Sequence, residues 1–353
     1  MKAPLITVLI DTYNYGHFIE EAVNSVLTQD FPADQMEILV VDDGSTDNTA
    51  DRLRKYAPRV RYLYKPNGGQ ASAFNYGFQH STGELIALLD ADDLWEPNKL
   101  SRVAYVYAMH PESVMIYHNY IYWDPDVGST WPGYFSEMSG ELSKDAKKML
   151  RYMIAPTSST VFTRNAVDLL FPVPTAVTIQ ADVFLDALAI FLGPVTAIPE
   201  CLMRYRVHGQ NLFYSRGGAP AERKQIQKRI ETRQACIDEM RAWLLERGWD
   251  TSDPCLRAYF RQWELLQEKD GFQLSSPDRT RFAYHLSRYP VTYAAIMSPQ
   301  HILYSWITVF AALILGYRHL DKLEGVRTRF KRVRESLGRL LRPSSRDRLS
   351  GSA

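Results

Sequence analysis

Cysteine is scarce in this 353-residue chain: Cys201, Cys236 and Cys255 stand apart, with no CxxC pair. That argues against a disulfide framework and a thiolate metal site, and a reducing compartment is expected. No GxGxxG follows the first apolar run and no GxxxxGK[ST] occurs, which disfavours a dinucleotide fold and a P-loop. Any phosphates bound here are therefore held by something other than a glycine cradle. Neither sign of charge is in excess, 41 Lys and Arg standing against 40 Asp and Glu, so a general nucleic-acid binder is not indicated. The uncharged run Ile302–Tyr317 has 16 residues, short of the roughly 20 that a membrane-spanning helix takes. The N-terminal MKAPLITVLIDTYN offers a short apolar run before Asp11, and is read as a first strand, not a leader.

What is present centres on Leu85–Pro97, LIALLDADDLWEP. A buried strand runs straight into Asp90, Asp92 and Asp93. Carboxylates crowded at a strand end repel one another, and burying one unpaired raises its pKa or costs several kcal/mol. A hard divalent cation, Mg²⁺ or Mn²⁺, suits such a place, because it takes carboxylate and phosphate oxygens. The competing reading is that Asp92 and Asp93 cap the helix that Pro97 helps to start.

The length predicts one large domain with an appendage, or two domains. Strand-like runs at 5–10, 36–41, 60–64, 85–89 and 114–117 alternate with helix-spaced stretches at 17–29, 47–56, 70–80 and 99–110. This predicts a largely parallel sheet covered on both faces, with ligands bound beyond the carboxyl ends of its strands. Those ends read Asp11-Thr12-Tyr13-Asn14, Asp42-Asp43-Gly44-Ser45 and Asp90-Ala91-Asp92-Asp93. All three polar clusters would meet at one edge.

Four segments in order, VLIDTYNYGHFIEEAVNSVLTQ, EILVVDDGSTDNTADRL, PNGGQASAFNYGF and GELIALLDADDLWEPNKL, make the first 118 residues resemble the nucleotide-sugar-binding half of the family 2 glycosyltransferases. The resemblance implies a GT-A type α/β fold, a Rossmann-like three-layer sandwich with a mostly parallel sheet. It also implies inverting transfer from a nucleotide-diphosphate sugar. The family's DxD-type motif falls on Asp90 and Asp92 as metal and diphosphate ligands, with Ala91 beside the nucleotide and Asp93 sharing or substituting in the metal role. The base-reading carboxylate falls on Asp43, with Thr12, Tyr13, Asn14 and Gln70 in the same pocket. Ser45 and Asp42–Asp47 have a helix-capping reading besides. Phe74 stands where many members carry a basic residue, a loss that Lys65 or the metal would offset. Further on, the acidic pair that supplies the general base reads Ala181-Asp182 here, so the resemblance puts that role on Asp182, whose alternative is a first-turn helix aspartate. A Tyr-Arg-x-His-x-x-Asn segment implies that Arg206 and His208 serve the diphosphate, and that His208 also serves the metal.

Residues 119–150 interleave Tyr120, Tyr122, Trp123, Trp131, Tyr134 and Phe135 with proline and glycine, which predicts a strand and a long loop. Their rings either stack on sugar or cover the sheet edge. Phe213–Pro220 reads as a lid that orders on donor. Beyond Pro220 the spacing turns helical. Eleven Lys and Arg against four Asp and Glu follow Tyr317, with Val326, Phe330, Val333, Leu337 and Leu340 at helical steps. This pattern suits a helix on an anionic membrane, or a packed helix or coiled-coil seam.

The expected organisation is a nucleotide-sugar half (1–118), an acceptor and catalytic half (119–220), a helical region with peripheral membrane contact through 302–340 (221–340) and a disordered tail (341–353). The expected activity moves one sugar, from a UDP-sugar, to a hydroxyl on a glycan or lipid-linked acceptor in envelope or exopolysaccharide assembly, in the cytoplasm at the inner membrane face. Rival readings are a polyprenyl-phosphate sugar transferase, which would not need Asp182 as base, and a non-catalytic sugar-nucleotide binder. A sugar nucleotidyltransferase would need a glycine-rich basic phosphate loop, which is absent.

Overall fold

The computed structural model describes residues 5–133, 138–145, 148–149, 152, 154–211 and 223–275. The expected lid at 213–220, the apolar run 302–317, the basic stretch up to 340 and the tail 341–353 lie outside the described residues, as do Tyr134 and Phe135.

Strand β1 (Ile6–Thr12) is the centre from which the sheet is built. Every residue of it except Asp11 is buried, as a strand covered on both faces requires. Strict alternation sends Leu9 into one core and Ile6, Val8 and Ile10 into the other. Parallel to β1 lie β2 (Met36–Asp42) and β4 (Leu85–Asp90), and β3 (Arg61–Tyr64) flanks β2. One layer of helices, α1 (Gly16–Leu27), α2 (Thr49–Leu53) and α4 (Lys99–Met109), brings Ile19, Val23, Leu53, Leu100 and Val103 onto the Ile6 side.

The Leu9 side is covered by α3 (Gln70–His80), α5 (Arg164–Leu170), α6 (Ala181–Ala189) and an antiparallel pair, α7 (Arg223–Glu246) and α8 (Pro254–Ser275). Gly77 lets α3 approach β1 closely, since a Cβ there would stand 2.2 Å from Leu9 Cδ1. The C-terminal helices share this core through Ile237, Met240, Trp243, Tyr259 and Phe260, and the Tyr259 hydroxyl donates to the Ala187 carbonyl (3.1 Å).

The sheet is more mixed than the alternation alone predicts. Strand β8 (Thr160–Thr163) inserts antiparallel between β4 and β6 (Met115–Asp124), and β9 (Val195–Arg206) then runs parallel to β6. Two short strands complete it, β5 (Leu94–Trp95) on β9 and β7 (Ser129–Pro132) on β6. Residues 119–132 thus form a hairpin where a strand and a loop were expected. In it Tyr122 stacks on Trp131 with ring centroids 5.6 Å apart. Among the described residues no helix is long and apolar enough to cross a membrane.

Candidate active site

Parallel pairing sets Asp11 beside Asp90 in register, and Thr12 beside Asp42. Neighbouring strands lie about 4.8 Å apart, so same-face side chains at their ends touch. The Asp11 and Asp90 carboxyls lie side by side, and Asp11 Oδ1 is buried without a hydrogen-bond partner. Burial pushes the Asp11 carboxyl up to about 7. Burial, then the charges of Asp11 and Asp92, raises Asp90 well above the ordinary carboxylate range.

After β4 the chain turns, and Asp90, Asp92 and Asp93 bring oxygens within 4.8 Å of one another. The helix-capping reading of Asp92 and Asp93 does not hold: α4 starts only at Lys99, with Asn98 before it and no side-chain cap. Asp93 faces inward, 1% exposed, accepting from Ser158 Oγ (2.7 Å) and the Arg206 N–H (2.9 Å). Asp92 meets His208, whose Nε2 stands 2.9 Å from Oδ2. The Gln210 N–H donates to His208 Nδ1 (3.1 Å), which places the ring proton on Nε2 and makes His208 the donor to Asp92. Asn211 fixes this hook by accepting from the His208 N–H and donating to the Arg206 carbonyl.

Arg206 is 3% exposed. Its guanidinium lies between the rings of Phe18 (4.7 Å) and Trp123 (4.6 Å), donates through Nε to the Asp92 carbonyl (2.7 Å) and pairs through Nη2 with Glu21 (2.9 Å).

Gln70, first residue of α3, ties the two halves of the site together. Its Oε1 accepts from the Ala181 N–H (3.0 Å) and its Nε2 reaches Asp90 Oδ1 (3.4 Å). Asp182 follows in the first turn of α6, after Gln180 in a left-handed conformation (φ 65°), and Oδ2 accepts from Thr157 Oγ1 (3.0 Å). Burial raises its pKa, with the Thr157 hydroxyl pulling the other way. The charge of Asp182 is felt at both Asp11 and Asp90, which puts it in their neighbourhood.

The residues expected around the nucleotide divide. Thr12 is buried with Oγ1 unpartnered, and Tyr13 is 49% exposed. Asn14 pins two loops, donating its N–H to Ser45 Oγ (2.8 Å) and accepting from the Thr46 N–H (2.8 Å). Asp43 accepts from Lys65 Nζ (2.5 Å) and from the Gly68 and Gly69 N–H groups (3.0 and 2.7 Å), so Lys65 answers Asp43. Gly69 holds φ +84° and abuts Thr178, an approach no side chain could share. Ala91 donates its N–H to the Asp11 carbonyl. Phe74 lies wholly in the core.

Sequence reasoning passed over Asp11, Thr157 and Ser158 as site residues. The signal for Asp11 was its place at the end of strand one, but only the β1–β4 register sets it against Asp90. These side chains suit a hard divalent cation: the donors are carboxylate oxygens, the Asp11 oxygen has no partner, and burial leaves the group short of positive charge, while both His208 ring nitrogens are already engaged by protein.

Residues 7–171 match the sequence family described as Glycosyl transferase family 2. An uncharacterized glycosyltransferase of Nostoc sp. is 34% identical over 229 residues, covering 62% of this chain and 70% of that protein. Another, from Rickettsia typhi, is 36% identical over 119 residues, covering 33% of this chain and 37% of its own length. Among solved structures, S. aureus TarS 1–349 in complex with UDP-GlcNAc superposes with a TM-score of 0.60 at 17% identity, covering 90% of each chain. The mannosyltransferase PcManGT from Pyrobaculum calidifontis, in complex with GDP-Man and Mn²⁺, gives 0.51 at 18% identity, covering 94% of this chain and 88% of that one. At these identities the structural likeness speaks for the fold, which is of the GT-A type.

Proposed function

The chain belongs to glycosyl transferase family 2 and is a glycosyltransferase, and from that premise we propose that it moves one sugar from a nucleotide-diphosphate donor to a hydroxyl acceptor with inversion. The observation that carries this is the gathering of Asp11, Asp90 and Asp92 at the sheet's carboxyl edge, near enough to Asp182 for its charge to act on Asp11 and Asp90. Asp90 and Asp92 would hold Mg²⁺ or Mn²⁺, with Asp11 beside them; the bound cation offsets the charge gathering on the departing nucleoside diphosphate. Thr12, Tyr13, Asn14 and Gln70 frame the nucleotide, and Asp43, held by Lys65 and the Gly68–Gly69 turn, reads its base. A carboxylate accepting from a pyrimidine N–H favours uracil, hence a UDP-sugar.

Asp182 takes the proton of the acceptor hydroxyl. The oxygen so freed attacks the anomeric carbon, the bond to the diphosphate breaks on the opposite side, and the proton remains on Asp182. Thr157 keeps the carboxylate oriented. His208 donates to Asp92 and orients it toward the cation, and Arg206 holds the turn from beneath, so both act by positioning.

A thermal-shift screen of UDP- and GDP-sugars, with and without Mn²⁺, tests the donor. Stabilisation by a UDP-sugar that depends on Mn²⁺ and is lost in Asp92→Ala supports the reading. A shift indifferent to Mn²⁺ and to that substitution overturns the cation's role. Asp182→Asn separates the rivals, since transfer to a lipid phosphate would survive it.

A further inference from the structure

An open groove of about 470 Å³ lies between α7 and the segment that leads into α6. Lys224 and Lys228 line it from successive turns of α7, with Gln227 and Glu231 between and beyond them and Thr178 and Thr232 at its floor. We propose that this groove seats an anionic group of the acceptor, a phosphate or phosphodiester, while the acceptor's hydroxyl is presented to Asp182. The proposal rests on the transfer reaction above and names the class of its second substrate.

Charge is the first reason. Residues four apart on a helix are neighbours, and two like charges there disfavour the helix unless something answers them. Both lysines are exposed, and no carboxylate pairs with either among the described residues. Glu231 is already engaged by the Gln227 amide (2.7 Å). Two ammonium groups over a floor of threonine hydroxyls, whose oxygens are 3.3 Å apart, make a donor-rich seat for an oxyanion.

Composition is the second. Among the described residues that line the groove none is aromatic, so a neutral sugar finds no ring there to stack on. A cavity of this size has room for a small ligand segment.

Position is the third. The Thr178 carbonyl accepts from the Gln70 N–H (2.9 Å), and Gln70 reaches Asp90 and the first residue of α6. The groove wall and Asp182 therefore belong to one stretch of chain, four residues apart. The donor's diphosphate is answered at the carboxylates through a cation, so an anion in the lysine groove belongs to the other substrate.

The test titrates the whole chain, saturated with UDP and Mn²⁺, with glycerol phosphate oligomers and separately with phosphatidylglycerol vesicles. The oligomer arm reads a free phosphodiester and the vesicle arm a lipid headgroup. Wild type should bind at least one probe, more weakly as salt rises, and Lys224→Gln/Lys228→Gln should bind it roughly ten-fold more weakly with unchanged melting temperature and UDP affinity. Failure of wild type to bind either probe, equal binding by the variant, or a loss confined to UDP affinity would each overturn the proposal. Failure of UDP and Mn²⁺ to bind wild type instead strikes the donor reading, and the probes titrated without nucleotide still report on the groove.

Discussion

Arg206 offers the sharpest separation between scaffold and ligand contact. Each ring face it touches is worth on the order of 0.5–2 kcal/mol. Its hydrogen bond to the Asp92 carbonyl adds about 1.5–3 kcal/mol, as a charged donor does. The pair with Glu21, whose side chain is 51% exposed, adds under about 1 kcal/mol. Arg206→Ala should therefore destabilise the fold by on the order of 4 kcal/mol and lower the melting temperature by on the order of 10 °C. Arg206→Lys should recover little, since an ammonium cannot fill the slot between Phe18 and Trp123 while also reaching Asp92 and Glu21. Differential scanning calorimetry gives the melting temperature, and calorimetric titration with UDP and Mn²⁺ gives the affinity. If Arg206→Lys melts within about 1 °C of wild type yet binds UDP ten-fold more weakly, a change of about 1.4 kcal/mol, the guanidinium contacts the diphosphate and the positioning role is refuted.

Asp182→Asn should lower kcat roughly 10²–10⁴-fold while leaving UDP affinity in place, read by steady-state kinetics against titration. Because burial raises the pKa of Asp182, the ionised base is lost as pH falls through a value above the usual carboxylate range, so kcat should decline on the acid side earlier than for an exposed aspartate. Asp93→Ala should cost about 3–5 kcal/mol by leaving Lys99 uncompensated in the core. Adding Lys99→Met should return much of that in urea unfolding, whereas purely additive losses would deny the coupling. Gly77→Ala should lower stability by about 1–3 kcal/mol despite better helix propensity, because its methyl meets Leu9; a rise in melting temperature would refute the close packing.

The first 118 residues were legible because their signals are local. Period-two and period-3.6 apolar patterns set β1, α1, β2, α3, β4 and α4 to within a few residues of their expected places, and the acidic strand ends fall at one edge as parallel pairing requires. What stayed hidden depends on pairing between distant segments. Thr160–Thr163 reads as an ordinary short strand, and nothing in its own residues says that it enters between β4 and β6 in the opposite sense. Arg206 reads as a free cation beside a histidine until Phe18, Glu21 and Trp123, remote in sequence, close around it. Lys65 likewise reads as a counter-charge for phosphate, and turns out to answer Asp43.

The same distant contacts explain how one turn can carry three carboxylates and still hold its shape. Asp93 is spent inward, where it accepts from the Ser158 hydroxyl and the Arg206 N–H, and its charge is felt at Lys99, which is bonded to the Ser158 carbonyl (2.7 Å) and lies over the Trp95 ring (3.6 Å). Burial pushes Asp93 up, with Ser158 and Arg206 pulling it back down, and burial pushes Lys99 down, with the Asp93 charge pulling it back up, so removing Asp93 strands Lys99. With the turn anchored by that inner carboxylate, Asp90 and Asp92 stay at the sheet edge, oriented by Gln70 and His208. Sequence spacing cannot distinguish the three. Only Ser158, Lys99 and Arg206 decide which aspartate turns into the core and which two stay outside it.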